Sequence, residues 1–139
     1  MNFPQADVEI TQTAHARMPF TAVLGLEIFE VTPSRVVTRG KWEAKYCTTR
    51  GILHGGYVMA VADSTGARCA ALNLPPGALT STIESKTNFF RGVTEGFIEA
   101  VATPVHVGRT TIVVQTDITD AQGKLVSRTL QTQAVILRT

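Results

Sequence analysis

A histidine and two glycines, His54-Gly55-Gly56, open a run that continues Tyr57-Val-Met-Ala-Val-Ala-Asp63-Ser-Thr-Gly-Ala-Arg68-Cys-Ala-Ala-Leu72. The run reads as a helix that is apolar on nearly every face, the pattern of a helix inside a protein. One carboxylate, Asp63, falls in its middle. An ionisable side chain among apolar neighbours is costly unless partnered, so its presence asks for a reason. The start of a helix offers unpaired backbone N–H groups and a positive dipole end, and glycines there let a carbonyl approach closely. Such a start can polarise a carbonyl oxygen, and a carboxylate can act as nucleophile or base. The stretch is therefore read as an active-site helix. The same residues also suit plain structure, with Gly55-Gly56 as a tight helix entrance, His54 as a cap, and Asp63 tied to backbone or to Arg68.

The flanking segments supply the elements that would position this helix. Asp7 to Met18 reads as a helix stopped by Pro19. Gly25 to Thr32 and Arg35 to Ala44 read as a hairpin turning at Pro33-Ser34. Lys45 to Leu53 is loop, and Asn73-Leu-Pro75-Pro76-Gly77 ends the long helix. Leu79 to Arg91, Phe97 to Val107, Thr110 to Thr119 and Lys124 to Leu137 read as strands. Pro104 marks an edge or a bulge, and Asp120-Ala-Gln-Gly123 is a hairpin turn. The order is two strands, a long helix, then four strands in antiparallel succession. This is an α+β pattern in which a curved antiparallel sheet wraps one helix and buries it. An open sheet edge favours a dimer or larger assembly.

The chain of 139 residues fits one domain, 1–139, with a real core. A formal charge of +2 with scattered basic residues argues against nucleic acid as a partner. No apolar run is long and charge-free enough for a bilayer. The start, Met1-Asn-Phe-Pro-Gln-Ala-Asp, lacks the pattern of a signal peptide, so a cytoplasmic location is expected. Cys47 and Cys69 fit no metal or redox spacing and read as reduced thiols. His15, His54, His106 and Asp63 show no ligand spacing, so neither a metal nor a cofactor is expected.

Three motifs in order resemble one known family. They are Gly51-x-x-His54-Gly55-Gly56-x6-Asp63, Thr82-Ile-Glu-Ser-Lys-Thr-Asn-Phe89-Phe90-Arg91, and Val107-Gly108-Arg109 followed by two strands around Asp120-x-x-Gly123-Lys124. The chain from about Pro19 onward is similar to the hotdog-fold acyl-CoA thioesterases, in the phenylacetate-degradation-type branch of the 4-hydroxybenzoyl-CoA thioesterase superfamily. Two positions depart from the family pattern. Thr48 stands where Asn is common, six residues before the His, and Gly92 stands where Pro usually follows the Arg. Thr has a shorter hydroxyl in place of an amide that can both donate and accept, which touches rate and substrate.

The resemblance implies hydrolysis of an acyl-CoA thioester, with a small-to-medium or aromatic acyl group, to free acid and CoA. It implies Gly55 N–H as oxyanion donor with Gly56 second, Asp63 as nucleophile or general base, His54 as an orienting group, and Thr82 as the hydroxyl that holds water. Asp63 lies two turns, about 12 Å, from Gly55 along a straight helix. The resemblance places the site at the interface of a homodimer or homotetramer, where Asp63 of one subunit serves Gly55 of the other. Arg91 and Arg109 are expected to meet the CoA phosphates. Tyr57, Met59, Phe89, Phe90 and the segment from Asn2 to Val23 are the candidates for shaping the acyl pocket. The alternative is a non-catalytic acyl-CoA-binding or regulatory protein on the same fold, which Thr48 favours and Asp63 opposes. A dehydratase would want a His where Arg68 stands.

Overall fold

The computed structural model describes residues 4–138. Helix α1 (Val8–Arg17) and the short α2 (Pro19–Val23) precede a hairpin of β1 (Glu27–Thr32) and β2 (Arg35–Lys41). The long helix α3 (Gly55–Ala71) follows, then β3 (Leu79–Phe89), β4 (Phe97–Val107), β5 (Thr111–Asp120) and β6 (Leu125–Ile136). Asp7 caps α1 by accepting the Ile10 N–H at 2.9 Å, and Pro19 occupies the first turn of α2, where its missing N–H costs nothing. The segment expected to be plain loop carries two short 3-10 turns, Ala44–Tyr46 and Thr49–Gly51.

The six strands form one sheet in the order β1-β2-β4-β5-β6-β3, each neighbouring pair antiparallel. The expected succession of four neighbouring strands does not hold. Passage through α3 carries the chain across the sheet, so β3 pairs with β6 at the far edge and β4 returns beside β2. Alternation along a strand sets which face is buried; it does not set which strand lies alongside. The expectation at Pro104 holds as a bulge, with the register shifting between Pro104 and His106 inside a central strand.

The helix α3 lies against the concave face of the sheet. Ile98, Ala100 and Ala102 of β4, and Ile112, Val114, Thr116 and Ile118 of β5, are fully buried beneath it. Alanines in β4 let the helix approach closely, and beside them the hydroxyls of Thr38 on β2 and Thr65 on α3 bond at 2.7 Å. The first half of α3 packs through Tyr57, Val58, Val61 and Ala62 with Leu24, Leu26 and Leu53. The second half packs through Cys69 and Ala70 with Val36, Ile112 and Val114. Burial pushes the Cys69 thiol up to about 11.

One side of α3 is not covered. Gly56, Met59, Asp63 and Ala71 are exposed and Ala60 and Ala67 half-buried, which is a stripe of helical spacing facing the β3 edge. The apolar composition of α3 therefore exceeds what one subunit buries. Strand β3 is itself exposed along most of its length, with Ile83 at 62%. The convex face of the sheet, by contrast, is finished with ion pairs such as Arg39–Glu99 and Arg128–Asp117. No helix among the described residues is long and apolar enough to cross a membrane.

Candidate active site

The open stripe of α3 presents Asp63 towards β3 and β6. The sequence reads Asp63 as buried; within a single subunit it is exposed, because nothing among the described residues covers that stripe. Its partner is neither backbone nor Arg68. Gln131 of β6 donates its Nε2 to Asp63 Oδ1 at 2.6 Å. Loss of hydration against the protein side raises the carboxyl above the usual Asp range, while hydrogen bonds from Gln131 and Thr82 pull it back down. Asp63 is thus held in place and kept ionisable by donors that stabilise its anion.

Thr82 sits on β3 beside a register shift between Thr82 and Glu84, an irregularity that sets its side chain relative to the strand. Gln133 Nε2 donates to Thr82 Oγ1 at 2.8 Å, and Thr80 Oγ1 donates to Gln133 Oε1 at 3.1 Å. With one lone pair of Thr82 taken by Gln133, its hydroxyl proton is free to turn towards Asp63, whose anion it stabilises. Two glutamines at i and i+2 of one strand, both 1% exposed, therefore hold the two candidate side chains, Asp63 and Thr82.

Sequence reasoning missed this pair. The signal was present, because the inward parity of β6 is Ser127, Thr129, Gln131 and Gln133, all buried and all polar. A strand whose buried face is polar is unusual for a core and marks a surface built to hold something. Gln131 is held at a cost. Its Oε1 is buried without a hydrogen-bond partner among the described residues. It cannot turn round, since that would put an acceptor against a carboxylate.

Gln131→Leu removes an orphaned buried acceptor, worth about 1–3 kcal/mol, so the folded state should lose little or even gain. It also removes a donor to the Asp63 anion, so the Asp63 pKa should rise. The acid limb of kcat/KM against pH should move to higher pH. An unmoved limb would show that Gln131 does not act on Asp63.

His54 caps α3, its Nδ1 accepting the Gly56 N–H at 2.8 Å. This bond places the proton of the neutral ring on Nε2, which is left as a donor. It also removes the Gly56 N–H from service to a substrate. The Gly55 N–H has no acceptor among the described residues and stands at the positive end of α3. A Cβ on Gly55 would lie 3.4 Å from the Phe89 ring, so Phe89 walls this end of the site. Thr48 is exposed before the second 3-10 turn, its N–H bonded to Ile52 O at 2.8 Å and its hydroxyl pointing to no described partner. That turn includes Arg50 at φ 63, a left-handed conformation uncommon for a side chain of this kind.

The structure does not bring every expected residue together. Gly55 and Asp63 lie two turns apart on one helix. Arg91 follows Phe89 at the Gly55 end of the subunit, while Arg109 sits in the turn between β4 and β5 at the opposite end, near the start of β3. Tyr57 faces inward, its ring stacked on Tyr46 at 4.2 Å and its hydroxyl donating to Leu24 O. It shapes the core and not a pocket. Met59 lies on the open stripe, and α1 forms a groove with the second half of α3. Of the candidate segment from Asn2, residues 1–3 lie outside the described residues. Among the described residues no three His, Cys, Asp or Glu side chains are grouped to hold a metal.

A curved antiparallel sheet holding one long helix in its concavity, with a carboxylate on that helix and glycines at its start, defines the hotdog class of α+β proteins. The family model described as the thioesterase superfamily (4HBT) matches residues 50–127, and the chain belongs to that superfamily. It is 38% identical over 115 residues to the Bacillus subtilis protein ComA2, provisionally named an esterase, covering 81% of this chain and 90% of the relative. It is 28% identical to the 1,4-dihydroxy-2-naphthoyl-CoA hydrolase of Listeria monocytogenes, covering 78% of this chain and 88% of that one. A solved thioesterase from Haemophilus influenzae superposes with a TM-score of 0.86 at 26% identity, covering 99% of this chain and 96% of that structure.

Proposed function

We propose that this protein hydrolyses an acyl-CoA thioester, with a small-to-medium or aromatic acyl group, to the free acid and CoA. The observation that carries this reading is Asp63, held by Gln131 on the open face of α3, together with the unengaged N–H of Gly55 at the start of the same helix. The Gly55 N–H polarises the thioester carbonyl. Asp63 either attacks the carbonyl carbon or takes a proton from water that does so. In both routes the C–S bond breaks, the sulfur leaves as thiolate, and water supplies the hydroxyl of the acid.

The site is completed by a second copy of the chain, in a homodimer or homotetramer. The exposed β3 edge and the apolar stripe of α3 around Met59 support this arrangement, since both are surfaces a lone subunit leaves open. In it, Asp63 of one subunit faces the Gly55 end of the other, which resolves their separation on one helix. Arg91 and Arg109 serve the CoA phosphates from the two subunits. The spacing from His54-Gly55-Gly56 to Asp63 supports the phenylacetate-degradation-type branch. The relative named for a naphthoyl-CoA substrate supports the CoA thioester. The two free thiols, Cys47 and Cys69, support a cytoplasmic setting.

The test is thiol release from a panel of aliphatic and aromatic acyl-CoAs, with the solution mass measured beside it. Turnover by an assembly larger than 15.0 kDa is expected. Saturable binding of the esters with no turnover across the panel would instead favour the binding-protein reading and turn attention to Thr48.

A further inference from the structure

A groove of about 510 Å³ runs between α1 and the second half of α3. Its walls are mainly apolar, from Ile10, Ala14 and Met18 on one side to Ala67, Ala71 and Leu72 on the other. Thr80 of β3 also lines it, and Thr80 is joined through Gln133 to Thr82. Ala67 follows Asp63 by one helical turn on the same stripe, so the groove continues from the candidate active site towards the end of α3.

Two arginines enter this groove, Arg17 from the last turn of α1 and Arg68 from α3. The ion pairs of the described residues include neither of them. Arg68 is half-buried, and its charge is disfavoured first by that burial and then by the charge of Arg17. Arg17 is exposed and keeps its hydration, so an anion in the groove would chiefly relieve the burial and the like charge that act on Arg68. The one acidic side chain on the lining, Glu9, is eight residues before Arg17, about 12 Å away along α1. Arg68, with His15 and Ser64, also lines a small adjoining pocket, which sets the arginine end of the groove nearer Asp63 than the Glu9 end.

We propose that this groove receives an acyl group carrying its own carboxylate, gripped by Arg17 and Arg68. The substrate class is then the CoA ester of a short dicarboxylic acid, a refinement that rests on the thioester-hydrolase reading. Arg68 follows Asp63 by five residues, a rise of about 7.5 Å and a turn of about 140° around the helix. An acyl chain that leaves Asp63 over Ala67, one turn further along, therefore curves round α3 into the groove that Arg68 and Arg17 line.

The experiment compares adipoyl-CoA with hexanoyl-CoA, which differ only in a terminal carboxylate against a methyl group. The wild type should favour adipoyl-CoA in kcat/KM by about tenfold or more, the effect of charge-assisted hydrogen bonds. The preference should fall towards unity in Arg68→Met, which keeps the apolar stem, and return in part in Arg68→Lys. Equal or poorer use of adipoyl-CoA by the wild type would overturn the proposal. So would a preference untouched by Arg68→Met, including the case in which both esters weaken alike because the arginines hold the CoA phosphates. Equilibrium binding of both esters to Asp63→Asn gives a second readout that needs no turnover. If the wild type hydrolyses neither ester, the binding ratio with and without Arg68→Met still decides the anion site, and the thioesterase reading is decided separately by the full acyl-CoA panel.

Discussion

Asp63→Asn should lower turnover of the best acyl-CoA by about a thousandfold, the middle of the range for losing a catalytic base. Asparagine has nearly the same shape, and its side-chain oxygen can still accept the Gln131 amide. A neutral amide neither attacks a thioester carbon nor removes a proton from water. Because Asp63 is exposed in the subunit and its ionisation is already opposed by lost hydration, the substitution should leave thermal stability equal or slightly higher. The loss should therefore appear in kcat with an unchanged circular dichroism spectrum. Turnover within tenfold of the wild type, in a preparation free of contaminating thioesterase, would remove Asp63 from the chemistry. A loss that tracks a falling melting temperature would make Asp63 structural.

Much of this arrangement could be read from the amino acids, and the unreadable part has identifiable causes. Gly and Pro punctuation placed α3 and every strand to within a few residues. Asp120-Ala-Gln-Gly123 forms its turn through side-chain acceptance, with Asp120 Oδ1 taking the N–H of Gln122 and of Lys124 and Gly123 at φ 78. Strand order was hidden, because pairing β3 with β6 depends on how the chain crosses under α3 and not on any local pattern. The exposure of Asp63 was hidden for a related reason. Met59, Ala60 and Ala67 give α3 an apolar side that reads as core, yet the described elements of the same subunit cover it only in part. The site residues legible as types were those carried by the helix start and the lone carboxylate. Gln131 and Gln133 carry no charge and form no motif. Only the run of polar residues on the buried parity of β6 could have disclosed them.

The close fit between Gln131 and α3 leads to a reversal of sign at Gly66. In the middle of a helix glycine is less favourable than alanine by about 1 kcal/mol, so Gly66→Ala would ordinarily stabilise. Here a Cβ would lie 2.1 Å from Gln131 Oε1 and 3.1 Å from Thr116 Oγ1, both on buried strand residues. The amide cannot swing aside without breaking its bond to Asp63, so Gly66→Ala should destabilise by about 1–3 kcal/mol, as overpacking in cores does. It should slow turnover as well, by displacing the donor that orders Asp63. In a Gln131→Ala background the main obstacle is gone, and once Thr116 Oγ1 gives by a few tenths of an ångström the same Gly66→Ala change should stabilise by several tenths of a kcal/mol. Urea unfolding of the two single variants, the double variant and the wild type completes the cycle. A Gly66→Ala effect of the same sign in both backgrounds would show that Gln131 is not what glycine accommodates. A reversal would establish that the helix omits a side chain at Gly66 so that a buried amide on β6 can reach across to the carboxylate.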